Sequence, residues 1–256
     1  MSKTNIAFSE KDIEILNFSY KTIDNWKHRN LSLPYWKIIH NNKGISELFF
    51  KKNIKQRRIS LPRSSILLIP PNKDFSCYNS SPISHLDLNF VISGFYISVK
   101  KSFFSFPNEG DIQMLIEDIH LNQDSRSLFN IKLIVSLLNG IPKDSLELIS
   151  DDKRINRAIS LMKQNLDKPL SNCDLAIDAS MSVNGFARLF REQTDYTPYE
   201  YQTILRIEKA CIMLQMSNNT IEFIANACGF TNRFHFSKSF KINKNKTPIE
   251  YRKLFL

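Results

Sequence analysis

Asn184, Arg188 and Arg191 fall at i, i+4 and i+7 of one short stretch, and Arg233, Lys238 and Lys241 sit close together in a second, later one. Read as helices, both stretches turn an apolar side inward: Phe186, Leu189 and Phe190 in the first, Phe236 and Phe240 in the second. The outward positions are then Val183, Asn184, Ala187, Arg188 and Arg191, and Asn232, Arg233, Phe234, Ser237, Lys238 and Lys241. Arg188 or Arg233 could grip the O6 and N7 of guanine with both arms of a guanidinium, and Asn184 could pair with adenine. Arg191 and Lys241, one turn further from the helix tip, suit phosphate. Phe234 has two uses open to it, packing on a thymine methyl or folding back into the core. An exposed arginine by itself is only a solvated side chain. The chemistry depends on elements that present both stretches together.

Other chemistries find little support. The four cysteines, Cys77, Cys173, Cys211 and Cys228, form no C-x-x-C pair, which argues against a zinc ribbon or a dithiol centre and for reduced, structural thiols in a cytoplasmic protein. His40 and His85 are not a close His-x-His pair and no carboxylate cluster completes a ligand set, so no metal or other cofactor is expected. Neither common Gly-rich phosphate loop is present. The apolar runs, such as residues 66–69, fall far short of the ~18 residues that cross a bilayer, and the first residues lack the run of a secretory signal. The net charge of +10 suggests an acidic partner, but it is shared evenly between residues 1–150 and 151–256, so charge alone does not locate a surface.

The elements that would position the two stretches are marked by an internal repeat. Leu175-Ala176 recurs as Ile224-Ala225 at an offset of 49, and Met181-Ser182 as Phe230-Thr231 at the same offset. Phe186 and Phe190 recur as Phe236 and Phe240, and Thr197-Pro198-Tyr199-Glu200-Tyr201 as Thr247-Pro248-Ile249-Glu250-Tyr251, now at 50. One extra residue therefore enters the second copy near Asn232 or Arg233. Each copy has the layout of a helix-turn-helix: Ser171 and Thr220 start short helices, and Ser182 and Thr231 cap the second ones. Each closes on Thr-Pro-x-Glu, a capping box with proline at the first helical position. The helix predicted from Pro198 to Met216 would be roughly 28 Å long, which would hold the two reading helices about one duplex turn (~34 Å) apart. Ahead of it, Ile155, Ile159, Met162 and Leu166 form one apolar stripe.

With these residues in view, positions 151–256 resemble the DNA-binding domain of the AraC/XylS family of bacterial transcription regulators. The likeness is carried by residues 221–231, by Phe236-Ser237-Lys238-Ser239-Phe240-Lys241, by Thr247-Pro248-Ile249-Glu250-Tyr251-Arg252 and by Arg206-Ile207-Glu208-Lys209-Ala210. It implies helix-turn-helix motifs at about 171–194 and 220–244. It also implies base-facing roles for Asn184, Ala187, Arg188, Arg233, Phe234, Ser237 and Lys238. Ser180 departs from the family's usual turn glycine, and Asp195 and Asn245 from the glycine that usually ends each reading helix; Asp and Asn tolerate the left-handed backbone such ends need.

The first half has a different texture. Residues 86–92 alternate apolar and polar, and short apolar runs broken by turn residues at 62–65 and 70–74 suggest a small sandwich or barrel. Ile112, Leu115, Ile116 and Ile119, then Leu128, Ile131, Val135 and Leu138, predict two helices with a break at 122–126; the second stripe suits a dimer face or the barrel surface equally. The run 61–72, ending in Ile69-Pro70-Pro71-Asn72, resembles the cupin-like effector domain that often precedes this DNA-binding unit. The expected fold is therefore α+β: a cupin-like β-barrel at 1–108, a helical dimerisation segment at 109–150, and an all-α DNA-binding domain at 151–256. Trp36, Phe49, Tyr78, His85 and Phe90 could line an effector cavity or be ordinary core. The implied protein is a cytoplasmic, homodimeric activator, not an enzyme. Its partners would be promoter DNA, RNA polymerase and a small effector, with no membrane. A cupin-type enzyme, and a DNA-repair protein built on an alkyl-accepting cysteine, are the alternatives that the metal-free, cysteine-poor pattern disfavours.

Overall fold

Strand follows strand through the first half because β-branched and aromatic residues alternate between turn signals. The computed structural model describes residues 6–52, 55–61, 65–92, 97–122, 128–168 and 170–255. The strands are β1 (Ile13–Ile23), β2 (His28–Ser32), β3 (Trp36–Lys43), β4 (Ser46–Lys52), β5 (Lys55–Leu61), β6 (Ser65–Ile69), β7 (Asp74–Asn79), β8 (Ile83–Ile92), β9 (Ile97–Val99), β10 (Phe104–Pro107) and, after the helices of this half, β11 (Leu146–Leu148). They form a five-stranded sheet in the order β1-β8-β3-β6-β10, a four-stranded sheet in the order β2-β7-β4-β5, and a two-stranded sheet of β9 with β11. The expected barrel is corrected here: among the described residues the pairings leave three separate sheets rather than one closed cylinder. Part of the predicted turn at 62–65 lies outside the described residues.

The two faces of the five-stranded sheet differ. Trp36, Ile38, Ile66, Leu68, Leu86, Leu88 and Phe90 point one way into an apolar core shared with helices α1 (Gly110–Asn122) and α2 (Leu128–Asn139). α1 contributes Ile116 and Ile119, with Ile112 and Leu115 partly buried against them, as their spacing predicts. On α2 the buried side is Asn130, Leu133, Ile134, Leu137 and Leu138. The predicted stripe is thus split: Leu138 is core, Ile131 and Val135 are half-buried, and Leu128 is exposed. The packed face is rotated from the predicted stripe, since the run 133–138 offers more apolar positions than one stripe can hold. Most of the predicted break at 122–126 lies outside the described residues.

The other face of this sheet carries Lys37, Asn41, His85, Asp87 and Asn89, paired across strands as Lys37 with Asn89 and Asn41 with His85. Alternation in residues 86–92 predicts one buried face and one polar face. Yet Lys37, Asn41, His85 and Asn89 are all buried. Trp26 covers His85 at 4.4 Å between ring centroids. Period-two alternation reveals which residues share a face but not what lies over it.

The second half is helical throughout: α3 (Lys153–Gln164), α4 (Asn172–Asp178), α5 (Val183–Thr194), α6 (Pro198–Met216), α7 (Ile221–Ala227), α8 (Arg233–Lys244) and α9 (Pro248–Arg252). The chain divides into two units, Met1–Glu147 and Leu148–Leu256. The helix starts follow the predicted caps. Ser171 with Asp174, Thr197 with Glu200 and Thr247 with Glu250 each close a reciprocal capping box. One cap differs. Asn232, not Thr231, caps α8, its Oδ1 accepting from the backbone N–H of Phe234 and His235 at 3.0 and 2.9 Å. The extra residue of the second copy therefore enters before the cap, and Asn232 is the true counterpart of Ser182.

Candidate nucleic-acid interface

α5 and α8 present the side chains singled out from their types and spacing. α5 begins where Ser182 Oγ accepts from Gly185 N at 3.2 Å, and α8 where Asn232 does the same work. Each ends on a residue in the left-handed conformation, Asp195 at φ 63° and Asn245 at φ 54°, where the usual glycine is missing. Short polar side chains adopt this backbone at lower cost than other non-glycine residues. Each helix is anchored by two fully buried phenylalanines, Phe186 and Phe190 in α5 and Phe236 and Phe240 in α8. The rings continue into edge-on contacts with Tyr201 of α6 and Tyr251 of α9, centroids 5.5 and 5.4 Å apart. Burying each such ring contributes about 2–3 kcal/mol, enough to fix the rotation of a twelve-residue helix about its axis.

That rotation is the same in both. From Val183 to Phe190 and from Arg233 to Phe240 the sequence of exposed, half-buried and buried positions is identical. Asn184 and Phe234 occupy equivalent exposed positions, as do Arg188 and Lys238, and Arg191 and Lys241; Ala187 and Ser237 are equivalent and half-buried. Arg233 is exposed at the first position of α8, its guanidinium 5.6 Å from the Phe234 ring centre. Phe234 is 78% exposed, which disposes of the alternative that it folds back into the core. A large apolar ring held this far into solvent gains from any apolar partner.

Electrostatically the two helices favour an anion. Arg188 lies 3.8 Å from Glu192 one turn on, but both side chains are largely exposed, and such a pair holds the arginine only weakly. The capping carboxylates of Glu200 and Glu250 sit below the usual carboxylate range, first because the Thr197 and Thr247 backbone N–H groups bind them and then through the threonine hydroxyls. They are committed to their helix ends.

The five residues expected to line an effector cavity do not come together. Trp36 and Phe90 are stacked at 6.2 Å inside the apolar core. Phe49 is half-buried and Tyr78 is 41% exposed, both on the face of the four-stranded sheet opposite Phe50 and Cys77. Only His85 reaches the polar group between Lys37 and Asn41. There the Lys37 ammonium binds both Asp87 oxygens at 2.5 Å and the Asn89 amide oxygen at 3.2 Å. His85 Nδ1 meets Asn41 Oδ1 at 2.8 Å, while its buried Nε2 has no hydrogen-bond partner among the described residues. Burial pushes the His85 pKa down to about 4, against the pull of Asp87. Burial also pushes the Cys77 and Cys211 thiols up to about 12 and Cys228 to about 11, leaving them protonated and poor nucleophiles. Lys37, Asn41 and Asp87 escaped the sequence reading because nothing local distinguishes a covered polar strand face from a wet one.

Residues 175–254 match a family model described as a helix-turn-helix domain. The raffinose operon transcriptional regulatory protein RafR of Pediococcus pentosaceus is 31% identical over 123 residues, covering 48% of this chain and 44% of that protein. The transcriptional activator RhaS of Mannheimia succiniciproducens is 26% identical over 189 residues, 73% of this chain and 68% of that one. The matched stretch thus spans about half the length of the first of these relatives. In fold, the chain is similar to the crystal structure of ToxT from Vibrio cholerae, with a TM-score of 0.58 at 21% identity over 96% of this chain and 98% of that one.

Proposed function

This chain belongs, by residues 175–254, to the AraC/XylS family, and from that premise we propose that it is a sequence-specific DNA-binding regulator of transcription. The observation that carries the proposal is the twinning of α5 and α8: two helices with matched caps and matched exposure, each offering base- and phosphate-binding side chains. In this reading α4–α5 and α7–α8 are two helix-turn-helix motifs within an all-α domain at 151–256, joined by α6. At 19 residues α6 is roughly 28 Å long, suited to holding reading helices about one duplex turn (~34 Å) apart. Asn184, Ala187, Arg188, Arg233, Phe234, Ser237 and Lys238 face bases; Arg191 and Lys241 bind phosphate.

Residues 1–108 are proposed as a cupin-like sensor and 109–150 as a helical dimerisation segment, on which Met114, Leu121 and Leu128 are exposed apolar side chains. One crystal structure of ToxT is described as bound to an unsaturated fatty acid. A small effector is proposed here as well, at the polar group around His85, whose buried Nε2 has no partner among the described residues. Several relatives are named as activators, which favours activation at a promoter and contact with RNA polymerase. No helix of the described residues is long and apolar enough to cross a membrane; the cytoplasmic, non-enzymatic role proposed here is taken from the relatives named as transcription regulators.

The test is selection of bound sequences from random DNA, with and without candidate small molecules. Enrichment of one bipartite sequence is expected, with half-elements about one helical turn apart. Even recovery of all sequences would overturn the proposal.

A further inference from the structure

Three side chains of α6 lie on one stripe at i, i+4 and i+7: Gln202, Arg206 and Lys209. Each donates to a backbone carbonyl outside α6. Gln202 Nε2 reaches Leu170 O at 2.9 Å and Arg206 Nε reaches Leu166 O at 3.1 Å, both on the segment that leads into α4. Lys209 Nζ reaches Ala227 O at 2.8 Å, at the end of α7. The seam thus ties the lead-in of the first reader and the first helix of the second reader to one helix face. A fourth contact closes it. Gly229, at φ +75° in the turn between α7 and α8, approaches the same lead-in so closely that a Cβ there would lie 2.2 Å from Leu166 O.

The seam is costly as a device for stability. Gln202 and Arg206 are only 5% and 6% exposed, and Arg206 Nη2 is buried without an acceptor among the described residues. Removing a guanidinium from water and leaving one of its donors unpaired costs free energy that an apolar side chain of the same length would avoid. Directional bonds provide what apolar packing cannot: they fix translation along α6 and rotation about it, whereas packed methylenes tolerate slip.

We propose that Gln202, Arg206 and Lys209 are positioning residues that gauge the separation and mutual rotation of the two reading helices, and so set the spacing of the operator's half-elements. None of them touches DNA. The proposal rests on the reading of the chain as a two-motif DNA-binding regulator.

The experiment uses the full chain. A bound sequence is selected from random DNA, and affinity is measured for it and for versions with one base pair inserted or deleted between half-elements. The parent protein is expected to lose about 10-fold or more on either change. Arg206→Met is expected to keep the base preference within each half-element and the melting temperature within a few degrees, while binding the three spacings within about 3-fold of one another. Arg206→Lys is expected to restore part of the discrimination. Should Arg206→Met fail to fold, Lys209→Met at the half-buried end of the seam carries the same expectation. The proposal fails if the folded variants keep the parent's spacing penalty, if affinity for every spacing falls together with melting temperature, or if the parent ignores spacing. A parent that selects no sequence at all sinks the regulator reading, and this proposal with it.

Discussion

Arg188 and Arg233 differ in what holds them: Arg188 has a weak partner in Glu192, while Arg233 leans toward Phe234. Substituting either by alanine is expected to cost about 1–3 kcal/mol of binding and to relax base preference at one position, read by fluorescence anisotropy on a panel of single-base variants. Lys241→Ala is expected to weaken binding nearly uniformly across sequences and to lower the salt slope by about 1. Equal loss on every sequence for Arg188→Ala would move that residue to the phosphate group. His85 supports a different kind of prediction. Its neutral form is the one that folds, with a pKa near 4 against about 6.5 in an unfolded chain, so its contribution is present above pH 6.5 and is lost as pH falls toward 4. Thermal stability of unit 1–147 is therefore expected to drop across that window, by at most about 3 kcal/mol, and His85→Gln is expected to flatten the drop. A slope unchanged in the variant would show that another group titrates there.

At the scale of elements, the two turns make a matched experiment. Ser180 and Gly229 occupy equivalent left-handed positions, φ 53° and +75°, but only Gly229 is crowded by the Leu166 carbonyl. Ser180→Gly is expected to stabilise by about 1 kcal/mol, because it relieves a backbone cost and Ser180 is exposed. Gly229→Ala is expected to destabilise by more than that, since strain and a steric clash add. Calorimetry decides, and equal effects of opposite sign would mean the clash is relieved by movement of the loop. The helix boundaries themselves were legible in the sequence wherever a cap wrote them: Ser171, Ser182, Thr197, Thr220 and Thr247 all cap as expected. Asn232 displaced Thr231 because an asparagine carbonyl can accept from two backbone donors at once, whereas alignment by repeat spacing placed the insertion one residue late.

For the molecule as a whole, the net charge of +10 predicts binding that falls steeply with salt, but the charge is shared between the two halves. If the contacts reside in α5 and α8, a fragment of residues 148–256 is expected to select the same bases with the same salt slope as the full chain. A slope shallower by several counterions would assign part of the DNA surface to residues 1–147. The repeat, the caps and the aromatic anchors made most of the helical unit readable, because they are local devices with fixed spacing. The first unit was readable only as strands followed by helices.

What lay within the amino-acid order was therefore periodic: two helices alike in pattern, the outward side chains on each, and a helix between them of the right length. Residues one to four apart report such things through hydrogen-bond geometry that does not need the rest of the chain. Which strand face is covered, whether two sheets close, and why a buried Arg206 is tolerated depend on groups far apart in sequence. Only folding brings Leu166 to Arg206 and Gly229, or Trp26 to His85, and the desolvation that gives those residues their roles exists only once it has.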